Sequence, residues 1–176
     1  KNLKTGQNLI IIETDKRYVM RILKSDLMSI EKGNKIKIIS VEKEFEKSII
    51  DVEKKYLIKG KIDRIDEYNG EIRIIDYKTG KKLYKRDLVV KQVGDIHNEK
   101  GIYNLQLIIY ALGVFEELNR EFIKTGIVSL KNMKDGVLEG QFEDSSEIDE
   151  EKINYYRKEI IKIIEEILDK GIMLKN

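Results

Sequence analysis

Apolar residues follow two rhythms along the chain, one helical and one of period two. Tyr18, Val19, Ile22, Leu23, Leu27 and Ile30 recur at three- and four-residue spacing. This predicts a helix over residues 15–31, capped by Thr14 or Asp15 and stopped by Lys32-Gly33-Asn34. Ile36, Ile38, Val41 and Phe45 then mark a strand over about 35–47, and the broken alternation at Ile39–Ser40 predicts a bulge. Two more alternating runs, near 55–67 and 71–78, flank Asn69-Gly70, the dipeptide favoured in two-residue hairpin turns. Residues 79–98 are polar and basic and read as a long loop. Leu105, Ile108, Ile109, Leu112 and Phe115 predict a helix over 99–121, and Ile123–Lys131 predicts a strand. Asp135-Gly136 turns the chain into a short strand near 137–142. Ile153, Tyr156, Ile160, Ile163, Ile164 and Ile167 place a last amphipathic helix over 149–170.

This order is helix, three strands, helix, one or two strands, helix. It predicts an α/β (α+β) fold in which the first three strands form an antiparallel meander. The strand after the central helix joins the same sheet through a crossover. A length of 176 residues suits one domain spanning 1–176, and the initial Lys reads as the start of a fragment of a longer protein. No apolar run approaches the roughly 18 residues of a membrane span, and no signal-peptide pattern is present. Membrane partners are therefore not expected, and a cytoplasmic location is. Cysteine is absent, which excludes disulfides, thiolate zinc sites, cysteine nucleophiles and a cysteine-ligated iron–sulfur cluster. The single histidine, His97, excludes a multi-histidine metal centre and reads as a loop residue.

The hairpin carries the candidate chemistry. With Asn69 and Gly70 as its loop, Tyr68 pairs with Glu71, Asp66 with Arg73, and Asp63 with Asp76. Two carboxylates then oppose each other with Cβ atoms roughly 4.5–5.5 Å apart, and Lys78 shares their face. Like charges in that position destabilise a sheet, and a cation between them removes the penalty. Two carboxylates plus water suit Mg²⁺ or Mn²⁺. The same register sets Lys61 against Lys78, a conflict that splaying or twist must relieve. Arg64 and Asp66 read as structural, Asp66 through Arg73. Net charge is only +2, but Lys78, Lys81, Lys82, Lys85, Arg86 and Lys91 are interrupted by Asp87 alone over 78–91. A local basic strip of this kind can contact phosphates; the bland reading is a solvated lysine-rich loop.

Gly60-x-x-Asp63, a short hairpin, and Asp76-Tyr77-Lys78 together resemble the PD-(D/E)XK nuclease superfamily, with nearest likeness to the nuclease domains of RecB- and AddAB-type exonucleases. Val41-Glu42-Lys43-Glu44-Phe45 is similar to the glutamate-bearing first strand of that family. Tyr103-Asn-Leu-Gln106-Leu-Ile-Ile-Tyr110 resembles its Gln/Tyr helix, and Gly126-Ile-Val-Ser-Leu130 stands where its next strand falls. The likeness covers residues 36–131. It implies a restriction-endonuclease-like core with a mixed sheet of about four to five strands flanked by helices. It further implies a Mg²⁺- or Mn²⁺-dependent deoxyribonuclease, an exonuclease of recombination or repair, acting on DNA with a helicase domain or subunit as partner.

On this resemblance Asp63, Asp76, Glu42 and the Tyr77 carbonyl hold the metal, with Glu44 competing for the Glu42 role. Lys78 orients water or stabilises phosphate charge. Gln106 positions water or backbone, and Tyr110 the phosphate or the first strand. Lys81, Lys82, Lys85 and Arg86 contact DNA. Two features depart from many members: residues 1–34 contain no histidine, and no cysteines bracket the domain. A catalytically silent DNA-binding or scaffolding relative of the same fold is the alternative.

Overall fold

The computed structural model describes residues 7–51, 54–97 and 101–173. Its sheet is organised by the Asn69-Gly70 turn, where φ is 53° and 95°, the left-handed values that a type I′ turn requires at both positions. The turn joins β2 (Lys54–Tyr68) to β3 (Glu71–Lys78) in the expected register, from Tyr68↔Glu71 through Asp66↔Arg73 to Arg64↔Ile75. Strand β1 (Ile36–Asp51) pairs antiparallel with β2, and its register shifts between Ile38 and Ser40, the predicted bulge. Strand β1 runs four residues beyond its predicted end, and β2 one residue beyond each of its own.

Helix α2 (Ile102–Leu118) is the crossover that returns the chain to β5 (Phe122–Ser129), parallel to β3 from Arg73↔Lys124 to Lys78↔Ser129. The two-residue strand β4 (Val89–Val90) precedes α2, outside the main sheet. After β5 the predicted 137–142 strand splits in two. Residues Val137–Glu139 (β6) pair antiparallel with β5, whereas Gln141–Phe142 (β7) pair parallel with β4. Strand β8 (Glu147–Asp149) adds a sixth strand to the main sheet through β5; three residues are too few to show a period in sequence. Asp149 Oδ1 then caps α3 (Glu150–Met173) by accepting the Lys152 N–H at 2.9 Å. The mixed sheet thus has six strands rather than about four to five, flanked by three helices.

One sheet face packs on α2 and α3 around Phe45, Ile65, Ile74, Ile108 and Tyr156. The other face carries α1 (Gln7–Glu31), where Tyr18 and Ile22 pack against Ile75, Val128 and Leu130. Helix α1 begins before the predicted start, so Thr14 is interior and its hydroxyl donates to the Ile10 carbonyl. It ends where expected: Gly33, at φ 90°, lets its N–H reach Ile30 and that of Asn34 reach Ser29. Val19, Leu23, Leu27 and Ile30 of its predicted apolar stripe are exposed, as is Ile167 in α3.

The predicted loop over 79–98 is corrected by the structure. Two 3₁₀ turns, Lys85–Leu88 and Val93–His97, bracket β4, and Leu83, Leu88, Val90 and Ile96 are fully buried. Their irregular spacing carries neither period, which hides them in sequence; residues 98–100 lie outside the described residues. Among the described residues no helix is long and apolar enough to cross a membrane.

Candidate active site

The end of β3 delivers Asp76 and Lys78 to the face covered by α2. Asp76 is buried, 3% exposed. Its Oδ1 accepts the Gln106 amide Nε2 at 2.9 Å and, more weakly, the Tyr110 hydroxyl at 3.4 Å. Lys78 Nζ donates to Gln106 Oε1 at 2.7 Å and stands 2.9 Å from Asp76 Oδ2. An ammonium can only donate and a carboxylate can only accept, so these neighbours dictate which end of the Gln106 amide faces each. Gln106 and Tyr110 lie one helical turn apart, and Gln106 Nε2 also donates to the Tyr110 oxygen at 2.6 Å.

Asp63 is half-buried on β2. The ladder between β2 and β3 stops at Arg64↔Ile75; one step further, where Asp63 would oppose Asp76, Asp63 Oδ2 accepts the Tyr77 N–H at 2.7 Å. The two carboxylates are adjacent in the expected register, but a side-chain bond replaces the backbone ladder. Burial pushes the Asp63 carboxyl above its ordinary value; the Tyr77 N–H offsets part of this, and Asp76 and Glu42 add to it. The splay also resolves the Lys61–Lys78 conflict. Lys61 turns to β1 and ion-pairs with Glu42, while Lys78 turns to Asp76 and Gln106.

Glu42, between the pairs Val41↔Arg64 and Lys43↔Ile62, stands level with Asp63 on the neighbouring strand, but its carboxylate is taken by Lys61. It is exposed and engaged by Lys61, at a backbone φ of 53° that is costly for a side chain other than Gly, Asn or Asp. Glu44 faces Lys61 in the strand register. Among the described residues no group of three metal-ligating side chains is assembled.

A divalent cation nonetheless suits the donors present, which are all oxygen. Asp76 Oδ2 is buried and has no hydrogen-bond donor among the described residues: the Lys78 ammonium lies close but off a hydrogen-bonding direction. A buried carboxylate is costly unless a charge compensates it; the Lys78 ammonium does so here, and a bound cation would do so through the same oxygen. Asp63, Asp76 and the Tyr77 carbonyl are the groups that would hold such an ion, and Glu42 could join them only by leaving Lys61.

Behind these residues the expected Asp66–Arg73 pair forms, and sequence reasoning missed the partners of Arg64. On the opposite sheet face Arg73 grips Asp66 with two bonds of 2.9 Å, while Arg64 binds Asp26 of α1 at 2.6 Å and the Tyr77 hydroxyl at 3.3 Å. This buried network ties α1 to the strands that bear the aspartates. Gly60 serves Phe45, because a Cβ there would lie 2.6 Å from the Phe45 ring; one at Gly113 would lie 2.3 Å from the same ring. Phe45 in turn meets Tyr110 edge-on at 6.1 Å.

The predicted DNA-contacting residues Lys81, Lys82, Lys85 and Arg86 are all exposed, and none has an ion-pair partner among the described residues. Lys82 and Arg86 reach over the Tyr84 ring at 5.3 and 5.2 Å. Buried side chains pin this segment: Ser129 Oγ bonds Lys81 and Leu83, and Asn132 bonds the Leu83 carbonyl. His97 lies away from the aspartates, 3.5 Å from Glu159 of α3.

The family model of the PD-(D/E)XK nuclease superfamily matches residues 11–175. A curated relative, one of the subunits of the ATP-dependent helicase/deoxyribonuclease of Carboxydothermus hydrogenoformans, is 44% identical over 78 residues, covering 42% of this chain. The aligned part is 6% of that relative's length, so the chain spans only a small piece of it.

Proposed function

The chain belongs to the PD-(D/E)XK nuclease superfamily, and on that premise we propose that it is a divalent-metal-dependent deoxyribonuclease, an exonuclease serving DNA recombination or repair. The observation that carries this reading is the Asp76–Lys78–Gln106 constellation beside Asp63. It combines a buried acidic oxygen without a hydrogen-bond donor, a second carboxylate, and an ammonium held in place by an amide.

A Mg²⁺ or Mn²⁺ ion held by such oxygens polarises a phosphoryl oxygen and acidifies an attacking water. Asp63, Asp76 and the Tyr77 carbonyl would hold the ion, and Glu42 could add its carboxylate in place of its pairing with Lys61. Lys78 stabilises negative charge on the phosphate, and Gln106 orients both Lys78 and Asp76 through its amide. Tyr110 supports Gln106 and Asp76 against the Phe45 side of the first strand. Lys81, Lys82, Lys85 and Arg86 take the backbone phosphates of the DNA.

The Carboxydothermus relative is by name both helicase and deoxyribonuclease, which supports the deoxyribonuclease reading and a helicase domain or subunit as partner. We read residues 1–176 as one nuclease domain working in the cytoplasm. A catalytically silent DNA-binding or scaffolding relative is favoured by one observation only, the engagement of Glu42 by Lys61. The deciding experiment is digestion of labelled single- and double-stranded DNA with Mg²⁺, Mn²⁺ or EDTA, using the parent and Asp76→Ala. Metal-dependent cleavage lost in the variant supports the nuclease. DNA binding without cleavage under any metal supports the silent relative.

A further inference from the structure

A groove of about 690 Å³ runs between α1 and the segment after β5, on the sheet face opposite the aspartates. One rim carries Arg21 and Lys24 of α1 and Lys32 directly after it; the other carries Lys131 and Lys134. Among the described residues no carboxylate lines it. Arg21, Lys24 and Lys32 stand at positions i, i+3 and i+11, with Met28 at i+7, so one helix face presents them together. All five cations are exposed. Arg21, Lys24, Lys32 and Lys134 have no ion-pair partner among the described residues. Five lysines of the β1–β2 hairpin behave differently: Lys43, Lys47, Lys54, Lys59 and Lys61 each pair with a glutamate. Five like charges gathered on two rims without an acid repel one another, a cost that a polyanion between them removes.

The groove is joined to the active-site side of the molecule. Lys131 Nζ donates to the Gly80 carbonyl at 2.7 Å, and Leu130 N–H donates to the Lys78 carbonyl at 3.0 Å. The rim therefore begins beside the residues that lead from Lys78 into the basic segment of Lys81 and Lys82. We propose that this groove is a second phosphodiester-binding track, which holds the DNA backbone beyond the cleavage site after the strand rounds the C-terminal ends of β3 and β5. The inference rests on the reading that the substrate is DNA. From Arg21 to Lys32 the helix rises about 16 Å, the axial length of about five nucleotides. DNA too short to reach past the aspartates does not engage it.

The test compares two rim variants, Arg21→Gln/Lys24→Gln/Lys32→Gln and Lys131→Gln/Lys134→Gln, with the parent. Affinity is measured in EDTA over a salt series, on a long oligonucleotide and on one of about five nucleotides; cleavage of both is measured with Mg²⁺. On long DNA the triple variant is expected to lose about 2.1–2.7 from the salt slope, and the double variant about 1.4–1.8. Cleavage of the short oligonucleotide, which cannot occupy the aspartates and the groove at once, stays within a few-fold of the parent. Parent-like slopes in both variants on long DNA overturn the track while leaving cleavage standing. Competition by polyglutamate that weakens in the rim variants, with DNA slopes unchanged, reassigns the groove to an acidic protein segment and also overturns it. A parent that binds DNA through the groove but cuts under no metal removes the nuclease reading alone, and a parent that binds no DNA removes both.

Discussion

Asp76 Oδ2 and Lys78 Nζ stand 2.9 Å apart with one amide, that of Gln106, bonded to both residues. The amide takes Asp76 Oδ1 and one ammonium proton, so it fixes the orientation of both partners of the ion pair. Supporting partners of metal-ligating carboxylates typically contribute 10–100-fold to activity or metal affinity. Gln106→Leu should therefore lower metal-dependent DNA cleavage by roughly 10–100-fold, with DNA affinity in EDTA close to the parent. Cleavage at the parental rate would remove Gln106 from the active machinery.

Asp63 links protonation to stability. Its folded value lies above the ordinary aspartate value, chiefly through burial. Such a group favours the fold when protonated. Its contribution is best below the unfolded value and is lost as pH rises through the raised folded value. Metal-free Asp63→Asn should therefore melt above the parent at neutral pH, and the gap should close on acidification to about pH 4. The same substitution should abolish Mg²⁺ or Mn²⁺ binding, which in the parent weakens as pH falls through the raised value. Melting curves in EDTA across pH, with calorimetric metal titrations, check both halves. Tight Zn²⁺ binding that survives Asp63→Asn and Asp76→Asn would contradict an oxygen-donor site for a hard cation.

Gly60 is a packing residue, although it belongs to the motif. An added Cβ would come within 2.6 Å of the Phe45 ring. Gly60→Ala should cost about 1–3 kcal/mol of stability by overpacking. The cost should shrink when Phe45→Leu is made in the same chain, because the two sites share one contact. Additive denaturation midpoints for the pair would show that Gly60 is needed for another reason.

Chemistry and binding should separate. Lys81→Gln/Lys82→Gln should lower the salt slope of DNA binding by about 1.4–1.8, through the loss of two phosphate contacts. Asp76→Ala should leave affinity in EDTA within a few-fold of the parent, or raise it, because a carboxylate near the phosphate repels it without metal. Lys78→Ala should abolish cleavage. Binding isotherms over a salt series and cleavage rates with Mg²⁺ decide the matter. An unchanged slope in the lysine double variant would take that segment off the DNA path.

The hairpin was legible from residues alone because its information is local. Asn69-Gly70 demands left-handed backbone, the turn sets the register, and period two then assigns Asp76 and Lys78 to one face. The crossover from the central helix to β5 and the bulge after Ile38 follow from equally local patterns. Gln106 and Tyr110 were legible as residues one turn apart on a helix. Their placement against Asp76 depends on how α2 lies over the sheet, and Phe45 reaches its seat only because Gly60 and Gly113 face it from different elements.

Pairings between groups distant in sequence come from the packed fold alone. Composition shows Glu42, Lys61, Asp26 and Arg64 simply as charges. The fold gives Lys61 to Glu42 and Arg64 to Asp26, and it sets Arg21, Lys24 and Lys32 across from Lys131 and Lys134. It also turns residues 79–97 into a packed excursion through Leu83, Leu88, Val90 and Ile96. Local periodicity reports which side of its own element a residue occupies. Which partner waits on that side is set by the packing of whole elements, an interaction summed over many contacts that no short stretch of sequence contains.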